Sequence, residues 1–483
     1  MSYTVAQNTS FLTIASVLQK VISFFYFIFV ARMIQVENTG VYFFAITFTT
    51  IFTVVADFGM GPVLTREAAR FPDRAQSYFN TVFWTKVLFG VGAYVLIIFF
   101  SNILRYPQET KMLIYISGLT MFFDNLTTAF NSIFRARKNL IYESAGVIIS
   151  QFTTLLIGTF ALLNRWSLVW LIIAYTVPSF LNTVYMSRFL KRVYGIGVQF
   201  VWNKDVFKIF IATAVPFAVA GIIGRLYAYS DSLLMSKMLT AKELGWWSVP
   251  YKITFAFQFV PVALSASVYP VFSSLFVKDK ASIGPLFEKS WRYLFAIVFP
   301  LAFGLIAIAH PVITKVFGSQ YIPSIVPLRI LLLSLIFGFL ALITGALLNA
   351  TNKQRTQTVL ITVVLIINII LNLVLLPRIG ITGAAIAALI SNAMLCLVGF
   401  YFSVRQVSID ARSIMLYLHQ TLWPALAMAG VVYVLSFKLS FLITIPIGAG
   451  LYLALLYKTK VLTKDILLLV VEKIRLKPKS RTV

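Results

Sequence analysis

Two stretches of this chain read alike: Arg32-Met33-Ile34 followed by Gly40-Val41-Tyr42, and Lys237-Met238-Leu239 followed by Gly245-Trp246-Trp247. They stand 205 residues apart with the same internal spacing. Twelve residues before each, Lys20 aligns with Arg225. Both cations fall inside long apolar runs, where insertion scales put roughly 2.5–3.5 kcal/mol on a charge at mid-helix. A membrane half that occurs twice, with a cation in the first helix of each copy, reads as a carrier for something anionic.

Composition supports the membrane reading. Hydrophobic residues make up 60% of the 483, charged residues only 12%, and mean hydropathy is +0.90. A soluble core has no room for that many apolar side chains, whereas lipid does. Windows of about 20 apolar residues, long enough to cross the hydrocarbon core, fall at about 10–32, 41–60, 80–100, 112–134, 142–163 and 168–187. Six more fall at about 209–236, 246–276, 291–309, 325–350, 357–376 and 382–403, and two at about 415–436 and 440–457. The expected fold class is an all-α membrane protein of about 14 transmembrane helices. Two six-helix bundles stand in pseudo-twofold arrangement, followed by two C-terminal helices. An apolar stretch near 312–317 is too short to span.

A net charge of +26 invites a nucleic-acid reading, which the distribution of cations answers. With the N-terminus in the cytoplasm, 27 of the 41 Lys and Arg residues lie in inner loops or the tail from Lys458, and 9 in outer loops. That is the positive-inside asymmetry. The basicity is topological, no nucleic-acid partner is expected, and both termini are placed in the cytoplasm of a multi-pass cell membrane protein. The tail segment Lys473–Arg481 is suited to anionic headgroups. Cys396 stands alone, and His310 and His419 have no ligand-spaced partners, so neither a disulfide framework nor a metal site is expected. The first span reads as a member of the repeat, not as a removable leader.

The organisation follows. Residues 1–190 form an N-terminal bundle of spans 1–6, 191–208 a basic cytoplasmic linker, and 209–403 a second bundle of spans 7–12. Residues 404–457 hold spans 13 and 14, and 458–483 a basic cytoplasmic tail. An even number of spans per half gives the halves one orientation, related by rotation about the membrane normal around a central cavity. In-span prolines at Pro178, Pro216, Pro250, Pro261 and Pro300 are expected to kink helices that rock, or to reflect only the abundance of proline in membrane helices.

Polar residues inside the spans are patterned. Thr9, Thr13, Ser16, Lys20 and Ser23 share one face of span 1, and Thr120, Asp124, Thr127 and Asn131 one face of span 4. Span 2 adds Thr50, Thr53 and Asp57, and span 11 places Asn368 and Asn372 one turn apart. Ser and Thr stripes also serve as helix–helix contacts, but a mid-helix lysine is not explained that way. Ranked by depth, Lys20 leads the candidate cavity cations, followed by Lys86 and Arg225, then Lys252; Arg329 reads as an interfacial anchor. Asp124 and Asp231 are cavity acids or structural partners of these cations. Four in-span cations against those two acids leave a net +2.

The chain resembles a lipid-linked oligosaccharide flippase of the polysaccharide-exporter (Wzx-like) branch of the multidrug/oligosaccharidyl-lipid/polysaccharide superfamily. The resemblance is carried by Val54-Val55-Ala56-Asp57-Phe58-Gly59 leading to Arg66-Glu67-Ala68-Ala69-Arg70, and by Gly40-Val41-Tyr42. The run Asn372-Leu373-Val374-Leu375-Leu376-Pro377-Arg378-Ile379-Gly380-Ile381-Thr382-Gly383-Ala384-Ala385 adds to it. Asp57 and Arg66 are its motif residues, and Trp246-Trp247 departs from the family pattern. The resemblance implies alternating-access transfer of a polyprenyl-pyrophosphate-linked sugar chain from the inner to the outer leaflet, with the tail left in lipid. Lys20 and Arg225 would clamp the pyrophosphate, assisted by Lys86 and Lys252. Partners implied are the lipid-linked glycan, membrane lipids, and a glycan polymerase or glycosyltransferases.

Two other readings differ by class. A cation-coupled multidrug (MATE-type) exporter of the same fold would favour a net acidic cavity. A membrane glycosyltransferase or polymerase would need a large outer domain with paired acids for metal, which short outer loops do not offer, so the chain is not expected to be an enzyme. The sequence carries no GxxxxGK[ST] run, so direct ATP use is not expected. No cofactor is expected, and ion or membrane-potential coupling stays open, with the ion unidentified.

Overall fold

The computed structural model describes residues 5–459 and 461, with side chains from residue 11 onward. The Thr9 side chain and the basic segment Lys473–Arg481 lie outside the described part. A backbone in hydrocarbon has no water to satisfy its N–H and C=O groups, and this patterning meets that demand with helices. Among the described residues there are helices and no strands.

The chain divides into two compact units, the first running to Ser248 and including Ile369–Ile381. It comprises α1 (Val5–Met33), α2 (Val36–Asp57), α3 (Met60–Arg70), α4 (Ala75–Ile103), α5 (Gln108–Ala136), α6 (Ile141–Leu163), α7 (Leu168–Tyr194), α8 (Lys204–Met238) and the start of α9 (Ala241–Phe257). Its centre is α5, packed on α7, α4, α2 and α3, while α6 covers α7 and α1 covers α6. Residues Met60, Leu64, Phe79, Phe130, Ile133 and Phe134 are at most 2% exposed and fill the inner-loop end of this unit. α8 packs on α2, α3 and α4, so this division cuts across the repeat boundary expected at 191–208.

The second unit holds the rest of α9, α10 (Phe259–Lys278), α11 (Ile283–Ala307), the short α12 (Ala309–Val312), α13 (Ile325–Ala350), α14 (Gln354–Val404) outside Ile369–Ile381, α15 (Ala411–Ser436) and α16 (Phe441–Lys458). α11 is its hub, lying against α15 and α13. An aromatic file runs along it: Trp291 against Phe400 at 5.0 Å, and Phe295 stacked on Phe299 at 5.2 Å. Arg292 lies over the Tyr417 ring at 4.9 Å.

Twelve described helices are long and apolar enough to cross a membrane. α5 falls outside that class because its polar stripe dilutes a 29-residue helix, and the 51-residue α14 counts once although Ile379 and Gly380 (φ 56°, ψ −142°) interrupt it. With α5 admitted and α14 divided there, the fourteen expected crossings are present. Two local expectations change. The inner loop placed at 61–79 is largely the helix α3, closed by a 3-10 turn at Pro72–Arg74. Pro261 kinks nothing: it sits in the first turn of α10, just past the break at Gln258, where its missing N–H has no partner to lose.

Candidate functional site

Where α2 ends, Phe58 (φ 46°) and Gly59 (φ 72°) turn the chain in two left-handed steps into α3. A Cβ on Gly59 would stand 2.9 Å from the Ala214 carbonyl oxygen of α8, so both conformation and space call for glycine there. The turn leaves Asp57 as the last residue of α2, at the negative end of the helix dipole, where a carboxylate is disfavoured unless a cation answers it. Lys86 of α4 answers it.

The Lys86 side chain is fully buried and forms an ion pair with Asp57. Its ammonium also donates to Asn125 Oδ1 at 3.2 Å and to Thr128 Oγ1, and Asn125 returns a bond to the Lys86 carbonyl at 3.1 Å. All the donors of a buried ammonium are thereby used, which is what tolerating such a group requires. The acid that holds Lys86 is thus Asp57 and not Asp124 or Asp231. The net +2 expected for in-span charges left Asp57 out, and Lys86 with Asp57 contributes no net charge. Arg66, the other motif residue, is exposed on α3 and donates to Glu67 at 2.8 Å.

The stripe on α5 separates into two kinds of residue. Thr120 and Thr127, one heptad apart, bond Thr176 and Thr183 of α7 at 2.7 and 2.9 Å. The α7 hydroxyls also donate to the carbonyls of Ile116 and Phe123. These two rungs lock α5 to α7, the packing role open to hydroxyl stripes. Asp124, between the rungs, instead borders a cavity of about 150 Å³ lined also by Thr49, Thr50, Thr53, Ser117 and Tyr175. Its side chain is exposed to that space.

The remaining candidates are dispersed. Lys20 on α1 and Arg225 on α8 keep exposed side chains in the first unit, and Arg225 forms no salt bridge among the described residues. Asp231, nearly two turns beyond Arg225, accepts a bond from Asn372 Nδ2 at 2.7 Å. That joins α8 to the Ile369–Ile381 part of α14. Lys252 is half-buried on α9 in the second unit. Sequence reasoning missed the roles of Asn125, Thr128 and Tyr175; Asn125 and Thr128 lie next to members of the α5 stripe, and Tyr175 sits one residue before the Thr176 that meets it.

The repeated motifs meet. A Cβ on Gly40 would lie 1.9 Å from the Ala241 carbonyl oxygen, and one on Gly245 would lie 2.0 Å from the Val36 carbonyl oxygen. Residues 36 and 241 are themselves 205 apart, so the contact is reciprocal: each glycine sits on the residue that opens the other copy's helix. α9 is started by a capping box, Thr240 Oγ1 accepting from Glu243 N at 3.2 Å and Glu243 Oε2 accepting from Thr240 N at 2.9 Å.

Comparison with known proteins agrees with this architecture. Residues 5–276 match the profile of the family described as "Polysaccharide biosynthesis protein", and residues 253–449 that of "Lipid II flippase MurJ". The "Probable low-salt glycan biosynthesis flippase Agl15" of Haloferax volcanii is 25% identical over 177 residues, covering 36% of this chain and 38% of that protein. The "Teichuronic acid biosynthesis protein TuaB" of Bacillus subtilis is 22% identical over 315 residues, 63% of this chain and 62% of that one. Each match thus covers less than two thirds of the relative's length. Among solved structures, "Lipid II flippase MurJ, inward closed conformation" superposes with a TM-score of 0.74 at 20% identity, over 92% of this chain and 97% of that chain.

Proposed function

This chain belongs to the polysaccharide biosynthesis protein family, and on that premise we propose that it carries a polyprenyl-pyrophosphate-linked oligosaccharide from the inner to the outer leaflet of the cytoplasmic membrane. The cargo would serve surface polysaccharide or glycoconjugate assembly. The observation that carries this reading is the family match across residues 5–276.

Sugar hydroxyls and a pyrophosphate cannot cross hydrocarbon unaided, since each unsatisfied polar group costs several kcal/mol there. A carrier shelters the headgroup in a polar path and leaves the polyprenyl tail in lipid. Lys20 and Arg225, at equivalent positions of the repeat with exposed side chains, supply the cations for the pyrophosphate. Arg225 contributes a planar fork suited to two phosphate oxygens, and Lys20 a point charge. Lys252 assists from the second unit, and Lys86 acts through the helix geometry it fixes with Asp57. No bond is made or broken in the cargo, so alternating access is the whole of the activity, and glycosyltransferases or a polymerase act before and after it. Both termini lie in the cytoplasm, as the 27-to-9 cation split directs.

The test is transfer in reconstituted vesicles. The full chain is placed in liposomes with a fluorescent polyprenyl-pyrophosphate oligosaccharide, and label reaching the far leaflet is scored by a membrane-impermeant quencher. Transfer faster than in empty vesicles supports the reading. Transfer of a cationic dye with none of the lipid-linked glycan would replace it with drug export.

A further inference from the structure

We propose that Asp124 and the hydroxyl oxygens around it form a binding site for a monovalent cation taken from solution, sodium or a proton. The site lies wholly within the first unit and does not depend on which cargo is carried.

The argument begins with where the hydroxyl protons go. Thr50 Oγ1 donates to the Ile46 carbonyl at 2.7 Å and Thr53 Oγ1 to the Thr50 carbonyl at 2.7 Å. Thr49 Oγ1 donates to the Ile46 carbonyl at 3.0 Å and lies 2.7 Å from Ser117 Oγ. With the Thr49 proton on the backbone, Ser117 is the donor of that pair. Thr176 likewise gives its proton to the backbone, at 3.2 Å to Ile172 O, so Thr120 donates to Thr176 across 2.7 Å. Five wall hydroxyls have therefore committed their protons, and what they turn to the cavity is oxygen lone pairs. Tyr175, which accepts from Tyr42 at 3.0 Å, is the wall hydroxyl whose proton stays uncommitted among the described bonds.

A carboxylate facing a wall of acceptors is not stabilised by that wall. Asp124 makes no salt bridge among the described residues. On the helices packed against α5, the charged groups are engaged elsewhere: Lys86 of α4 with Asp57 of α2, Glu143 of α6 with Arg135, and Arg66 and Arg70 of α3 with Glu67. The neutral titratable groups there are phenols, Tyr42 on α2, Tyr94 on α4, and Tyr175 and Tyr185 on α7. A cation answers both features at once, because carboxylate and lone pairs are the hard oxygen donors that such an ion takes. One carboxylate cancels one positive charge and would leave a divalent ion half-compensated inside the membrane, so the site selects single charge. The space, about 150 Å³, has room for several waters, enough for a partly hydrated ion and too little for an oligosaccharide headgroup.

The experiment is equilibrium binding of radioactive sodium to the full chain in lipid nanodiscs, at constant ionic strength in choline chloride, for the parent, Asp124→Asn, Thr50→Val and Thr50→Ser. The expected result is one fewer sodium per chain in Asp124→Asn, about tenfold weaker binding in Thr50→Val, and little change in Thr50→Ser. Measuring the loss against the parent separates this site from any other sodium the chain holds. If the ion is a proton, sodium binding is equal in all four. The parent then shows the infrared carbonyl band of a neutral carboxyl between pH 5 and 8, and Asp124→Asn lacks it. Equal sodium binding without such a band overturns the proposal. Should Asp124→Asn fail to fold, unchanged sodium binding in Thr50→Val together with the absence of a neutral-carboxyl band in the parent does the same.

Discussion

Gly40 and Gly245 each lie against the first residue of the other's helix: Gly40 on Ala241 and Gly245 on Val36, with a putative Cβ position about 2 Å from a backbone carbonyl in both cases. All four residues belong to the first unit. A contact in which residue i meets j while the counterpart of i meets the counterpart of j is the signature of a twofold operation. The sequence repeat is therefore also a local spatial symmetry, centred where the short links into α2 and α9 cross.

That closeness predicts a steep response to one methyl group. Gly40→Ala and Gly245→Ala each force backbone apart from backbone, at a cost of about 1–3 kcal/mol from overpacking, and the double variant should cost less than their sum because one displacement relieves both. Gly224→Ala is the control, since nothing lies within 4 Å of its Cβ position; there, helix propensity favours alanine by about 0.5–1 kcal/mol. Thermal unfolding of the purified chain measures all three. Equal stability of the Gly40 and Gly224 variants would contradict the crossing geometry.

The Lys86–Asp57 pair predicts a non-additive pattern. Lys86→Met leaves Asp57 alone at a helix end, and Asp57→Asn leaves an ammonium in a fully buried position. Removing one member of a buried pair costs about 3–5 kcal/mol, whereas replacing both with apolar side chains of similar volume is often near neutral. Lys86→Met with Asp57→Leu should thus recover much of the stability lost in either single variant. A double-variant cycle on unfolding midpoints gives the coupling, and additive losses would mean that the pair does not act as a unit.

The same pair marks where sequence reading stops. Fourteen crossings, the repeat and the fold class were legible because hydropathy and spacing are local properties of the chain. Asp57 was placed with the motif, not with the charges, because pairing across 29 residues leaves no local trace. α3 went unread since Met60–Arg70 is amphipathic and its average polarity resembles a loop. The α5 hydroxyls did carry a usable signal: Thr120 with Thr176 and Thr127 with Thr183 are both 56 residues apart, a constant offset that two helices locked in register produce. Which hydroxyl protons face Asp124 is a matter of rotamers, and no spacing encodes it.

Topology gives a prediction independent of the cargo. In a Cys396→Ala background, Arg137→Cys should resist a membrane-impermeant thiol reagent added to intact cells, and Asn164→Cys should react. Both positions are exposed at the ends of helices, α5 and α6 respectively, so accessibility is decided by the side of the membrane and not by burial. The expectation follows from the excess of cations on the Arg137 side. Reaction at Arg137→Cys with none at Asn164→Cys would invert the orientation.

Charge removal at the repeat-related cations separates transport from folding. Lys20 and Arg225 have exposed side chains, so Lys20→Ala and Arg225→Ala should leave unfolding midpoints within about 0.5 kcal/mol of the parent, as surface changes do. If each cation holds one side of a pyrophosphate, each single variant loses a charge-assisted contact of roughly 1.5–3 kcal/mol, a fall of about tenfold to a hundredfold in the rate of transfer at low substrate. Lys20→Arg should keep part of the activity, since it preserves charge but changes donor geometry. Ser16→Ala, one turn away on the same face, should change little. The decisive measurement is initial transfer rate at matched protein density in the vesicle assay, alongside the amount of protein inserted. Undiminished transfer by the double alanine variant would remove both residues from the pyrophosphate site, while a parallel loss of inserted protein would assign them to the fold.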